Sequence, residues 1–201
     1  MDSGFRAEIA AYIRQNALPE EKYGHQPRLY ALTQQIGEGQ DYDDDVVYAS
    51  AWLHDLGVFV GHRPEDPAKL QRWDHVIYTA EKVPSILESA GFPIGKIPAV
   101  LDVIRTHQPK DEPLSMEATI LRDADILEQL GAIGILRGVC KVGRDTRYKT
   151  FSSVMAFLRQ SVEELPQKLQ LENARRLAVP KVEILTAFLE AAEREAGPGL
   201  F

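Results

Sequence analysis

Five histidines, His25, His54, His62, His75 and His107, lie in the first 107 of 201 residues, and their neighbours matter more than their number. His25 opens an amphipathic helical pattern. His54 and Asp55 stand together where a second pattern closes, two residues before Gly57. His107 ends a third pattern ahead of Gln108 and Pro109, and Asp125 interrupts the apolar run ILRDADILEQLGAIGIL. Imidazoles and carboxylates gathered at helix ends are a suitable donor set for a borderline-to-hard divalent ion. Such an ion gains ligands on rigid supports while one position stays open to water. An aspartate amid buried helix is costly without a partner, and a metal is one such partner.

The elements that must hold these groups read as helices. From His25 the apolar positions Leu29, Leu32 and Ile36 recur at spacings of four, three and four, which lays one stripe along a helix that Gly37 and Gly39 stop. Asp41, Asp43, Asp44 and Asp45 precede VVYASAWLHDLG, where carboxylates suit the positive end of a helix dipole. The cluster lacks the glycine and later ligands of a calcium loop, so capping is its expected role. Gly57 ends this helix, and an irregular, Gly-, Pro- and charge-rich stretch follows to about Trp73. Further helical patterns cover 74–90, 97–107, 115–128, 131–138, 151–171 and 172–196, with Pro166 and Pro180 expected to kink or cap the last two. Neither alternating apolar strands nor Asn-Gly hairpins stand out. The expected fold is all-α, a single-domain irregular helical bundle over 1–201. Its metal-binding core would span about 20–140 and its closing C-terminal helices about 150–197.

A net charge of -7 and a pI near 5.3 exclude nucleic-acid binding by massed phosphate contacts, which needs a basic face. A few cations in one cleft still permit a small anionic substrate. No apolar run approaches the roughly 20 residues a membrane span needs, and Asp2, Arg6, Glu8 and Arg14 break any signal-type h-region. The lone Cys140, in IGILRGVC, reads as a small buried residue and suits a reducing, cytoplasmic setting. Leu185, Phe188 and Leu189 form an apolar face on the final helix that either covers the bundle or pairs two subunits as a homodimer. Gly131 and Gly134 are read as close-packing positions and His62 as a surface residue.

The ordered series YGHQPRLYALTQQI, AWLHDLG, DHVIYTAEKVPSILESAGFP, VIRTHQP and ATILRDADILEQLGAIGILR resembles the HD superfamily of metal-dependent phosphohydrolases, in its small stand-alone bacterial form. LENARRLAVPKVEILTAFLEAAERE is similar to that group's closing helices, so the resemblance covers nearly the whole chain. It implies metal ligands at His25, His54, Asp55 and Asp125, with Asp123 orienting a ligand or its surroundings. It implies Mn, Fe, Ni, Co or Zn as the ion and hydrolysis at a phosphorus centre by metal-activated water, with a nucleotide as the expected substrate. Many members carry Arg after the second Asp, where this chain has Ile126, so that cation must come from elsewhere or be absent.

Arg28, one turn after His25, is the first candidate to meet phosphate charge, followed by Arg63, Lys69 and Arg72 in the irregular stretch. His75 and His107 bind phosphate beside one metal or, if they converge, complete a two-metal site bridged by Asp55. One ion is the expectation, because the stretch from 57 to 73 leaves convergence open. Glu81 reads as an exposed carboxylate, with general acid or base work as its alternative. Two readings of other classes remain: a di-iron oxygenase using His75 and His107 as extra ligands, and a non-catalytic HD ligand-binding module.

Overall fold

The computed structural model describes residues 4–143 and 148–199. Its regular elements are all helical, and among the described residues the one extended pairing is an isolated bridge between Val60 and Arg63. The chain divides into two compact units, Met1–Arg122 and Asp123–Phe201.

The first unit contains helices α1 (Gly4–Asn16), α2 (His25–Ile36), α3 (Asp44–Leu53), α4 (Pro67–Leu70), α5 (His75–Ser89) and α6 (Ile97–Arg105). α3 is its centre because of its composition. Val46 through Leu53 carries no charge, and all eight residues are buried. A helix that is apolar all round belongs inside; α1, α2, α5 and α6 all pack on it. Removing the Leu53 side chain, which is wholly buried, would cost about 2–5 kcal/mol by the usual large-to-small penalty.

The acidic cluster does cap this helix. Asp43 Oδ1 accepts from the Asp45 and Val46 amides at 3.1 and 3.4 Å. Arg6 Nη2 of α1 binds Asp44 at 2.8 Å and Asp45 at 2.7 Å, and Lys96 Nζ lies 2.8 Å from Asp43. The acids are thus matched by cations from other elements. The helix itself stops at Leu53, one residue earlier than His54 and four before Gly57. The following stretch is less irregular than its composition implies. Asp66 accepts from Lys69 N at 2.9 Å and Pro67 occupies the first turn, so cap and preset φ nucleate α4.

Helix α7 (Met116–Glu128) contains the boundary between the units. In the second unit α8 (Gly131–Val139), α9 (Phe151–Glu164) and α10 (Glu172–Ala196) pack on one another. The pattern expected as one helix over 151–171 breaks at Glu164. Pro166 has no N–H to continue the ladder, and Pro166–Lys168 forms a short 3-10 turn. Pro180, by contrast, sits inside α10. Leu185 and Leu189 are buried and Phe188 is half-buried.

Gly134 is required by a close approach, since a Cβ there would lie 2.2 Å from Gln129 O. Gly131 adopts φ 68°, the left-handed region that favours glycine. Cys140 is not the buried residue its apolar context implied. It caps the end of α8, exposed, with Sγ 3.4 Å from Arg137 O, because the helix period turns this position outward. Among the described residues no helix is long and apolar enough to cross a membrane.

Candidate metal centre

Each histidine of the candidate set stands at a helix boundary. His25 is the first residue of α2, His54 follows the last residue of α3, His75 is the first of α5, and His107 lies two residues after α6 ends. His25, His54 and His107 are buried, at 8%, 1% and 2% exposure. They meet around Asp55, which starts the 3-10 turn Leu56–Val58. His54 Nε2 lies 3.6 Å and His25 Nε2 3.8 Å from Asp55 Oδ2, whereas His75 Nε2 lies 3.7 Å from the other oxygen, Oδ1. The His54 and His107 rings are 5.0 Å apart and those of His75 and His107 6.0 Å apart. The four imidazoles thus converge, and the carboxylate offers its two oxygens to different histidines.

These distances are too long for hydrogen bonds. They are close to the roughly 3.0–3.5 Å that separates ligands placed about 2.1 Å from a shared ion. Ligand atoms of His54, Asp55 and His107 lie within 4.8 Å of one another. The tautomers fit as well. His54 Nδ1 faces Ala51 O at 3.1 Å and His107 Nδ1 faces Ile104 O at 2.6 Å. A carbonyl only accepts, so both Nδ1 atoms carry the proton and both Nε2 lone pairs are left for a cation. Burial by itself would raise the Asp55 carboxyl. The fields of His54, His25, His75 and His107 outweigh it and hold Asp55 well below the usual carboxylate range.

Two supports were not legible in the sequence. Gly57 N donates to Thr79 Oγ1 at 3.1 Å, and Trp73 Nε1 donates to Gly57 O at 2.8 Å. The peptide groups after Asp55 are therefore tied to the helix that starts with His75, across a separation of 22 residues that has no periodic signal. His62 is likewise no plain surface residue. It is half-buried, with Nε2 3.0 Å from Asn16 Oδ1 and Nδ1 3.0 Å from the Tyr78 hydroxyl, because the 57–73 stretch folds back against α1 and α5.

Asp125 lies on α7, half-buried, with Gln129 Nε2 donating to its backbone oxygen at 3.2 Å. Asp123 is wholly buried and accepts from the amides of Gln170 and Leu171 at 3.0 and 2.8 Å, so it positions the entry to α10. Arg28 is exposed and keeps its guanidinium beside Gly24, the residue before His25. Arg63 is half-buried, and Lys69 and Arg72 are exposed.

Helices that deliver a histidine, a His-Asp pair and two more histidines to one point define a class of all-helical metal-binding domains. The chain belongs to the HD domain family, which matches residues 23–130. It is similar to YpgQ of Bacillus subtilis strain 168, at 26% identity over 203 residues covering 92% of this chain and 91% of YpgQ. The crystal structure of YpgQ in complex with ADP shares the fold, with a TM-score of 0.73 and 24% identity over 95% of this chain and 94% of that one. So does an HD-superfamily hydrolase from Bacillus thuringiensis, with a TM-score of 0.68 and 19% identity over 95% of each chain.

Proposed function

We propose that the protein is a metal-dependent phosphohydrolase of a nucleotide, and that the reaction is cleavage of a nucleoside triphosphate to monophosphate and pyrophosphate. The observation that carries this reading is Asp55, whose two oxygens face the Nε2 atoms of His25 and His54 on one side and His75 on the other. The complex of YpgQ with ADP supports a nucleotide as ligand.

His25, His54, Asp55 and His107 would hold a Mn, Fe, Ni, Co or Zn ion. Asp125 joins them on the strength of the sequence pattern. The convergence of His75 on Asp55 Oδ1 supports a second ion, in place of the single one expected from sequence. A bound divalent ion supplies hydroxide near neutral pH and polarises a phosphoryl oxygen. The chain's own groups do the rest. The carbonyls of Ala51 and Ile104 fix the histidine tautomers. Arg28, Arg63, Lys69 and Arg72 supply countercharge for phosphates.

The test is metal-stripped protein resupplied with Mn²⁺ against nucleoside mono-, di- and triphosphates, with Asp55→Ala in parallel. Pyrophosphate release confined to the metal-loaded native chain supports the proposal, whereas turnover unchanged in Asp55→Ala refutes it. The same carboxylate geometry also suits a di-iron oxygenase. Two irons per chain with oxygen uptake would favour that reading, and full activity with Zn²⁺ under nitrogen would exclude it.

A further inference from the structure

The first unit has a cleft of about 440 Å³, lined by Asp74, Val76, Ile77, Ala80, Glu81 and Arg105. Its position is set by the same helix ends that hold the centre. Asp74 and Val76 flank His75 in the chain, and Arg105 is the last residue of α6, two before His107. The cleft therefore opens where α5 begins and α6 ends. Resting on the phosphohydrolase reading above, we propose that this cleft is the nucleoside subsite, taking base and sugar while the phosphates reach the metal centre.

Volume, surface and charge select that occupant. Specific small-molecule pockets run from roughly 300 to 1,000 Å³, and a nucleoside fits the lower part of that range. Val76, Ile77 and Ala80 offer an apolar floor, with Ile77 60% exposed to solvent despite its size. A planar base would cover that surface, and the Arg105 guanidinium at the edge suits stacking on a ring.

The charge argues against phosphate here. Asp74 and Glu81 line the cleft, and Arg105 is already paired with Asp102, Nη1 to Oδ1 at 3.3 Å. Three carboxylates against one guanidinium repel a polyphosphate but accept hydrogen bonds from sugar hydroxyls and exocyclic amines. Glu81 makes no hydrogen bond or ion pair among the described residues, so its oxygens are available for that purpose. The backbone adds an acceptor. Pro84 lies inside α5 and has no N–H to return to the carbonyl of Ala80, a cleft residue.

The experiment fills the cleft without touching the centre. Ala80→Trp and Ile77→Asp are compared with the native chain, all loaded with Mn²⁺, on a nucleoside triphosphate and on inorganic tripolyphosphate, which lacks base and sugar. The expected result is a rise of about tenfold in KM for the nucleotide, the size of one lost contact of about 1.4 kcal/mol, with tripolyphosphate kinetics unchanged. Equal losses on both substrates, or no change on either, would overturn the subsite. If the native chain cleaves neither, the hydrolase reading has failed, and equilibrium binding of a nucleoside monophosphate then decides the cleft separately. Binding by the native chain that Ala80→Trp abolishes upholds it, and equal binding or none overturns it.

Discussion

Gly57 lies directly against the backbone of His75: a Cβ on Gly57 would stand 2.7 Å from His75 O and 2.9 Å from its Cα. Only a residue without a side chain lets the turn that follows Asp55 approach the start of α5 so closely. The ligand separation between Asp55 and His75 depends on that approach.

Gly57→Ala therefore pushes α5 away from Asp55. The atoms it meets are main chain and have little room to give, so we expect a loss of about 1–3 kcal/mol in stability, typical of overpacking. Metal affinity should fall about 10–100-fold, as for lost outer support. Thermal unfolding and metal titration check both. Gly95→Ala, where a Cβ would meet nothing within 4 Å, is the control and should change neither.

Metal stoichiometry reads the role of the second histidine pair. Native protein reconstituted with Mn²⁺ is expected to hold two ions per chain by elemental analysis, His75→Ala one, and Asp55→Ala none. One ion in both the native chain and His75→Ala would return His75 to a phosphate-binding role.

His62 gives the protein a pH-dependent stability away from the metal centre. Asn16 Oδ1 accepts from Nε2, so Nδ1 is the acceptor for the Tyr78 hydroxyl and the ring is neutral. Burial first, and the nearby Lys82 second, hold its pKa below the ordinary value. The unfolded chain then binds the proton more tightly, so this contribution is complete above about pH 6.5 and is lost as pH falls through the lowered pKa. Melting temperatures between about pH 5 and 7 should decline less steeply for His62→Gln than for the native chain.

Asp123 governs the second unit by a different route. Asp123→Ala leaves the amides of Gln170 and Leu171 without their acceptor, and each lost hydrogen bond costs about 0.5–1.5 kcal/mol because both amides are only partly buried. Asp123→Asn keeps one acceptor oxygen and should lose less. Urea midpoints of the two variants, which should fall in that order, test this.

The sequence by itself determined the helices and supplied the candidate donors. Helical periodicity located α2, α5, α6 and α10 because each has one apolar stripe, and its residue types are set by local geometry. The His, His-Asp, His, His order marked the donor set, since imidazoles at helix ends leave a trace in the one-dimensional string. It misread Cys140, where apolar composition outvoted the helix end, whereas Pro166 interrupts the 151–171 pattern as expected of it.

Only the tertiary structure decided which donors meet. The approach of His75 to Asp55 Oδ1 depends on Gly57, Thr79 and Trp73, residues of unremarkable type whose partners lie far away in sequence. Hydrogen bonds across such separations depend on three-dimensional packing, which has no period to read. The cleft along α5 and α6 is likewise a property of two helix ends brought together, and neither helix shows it alone.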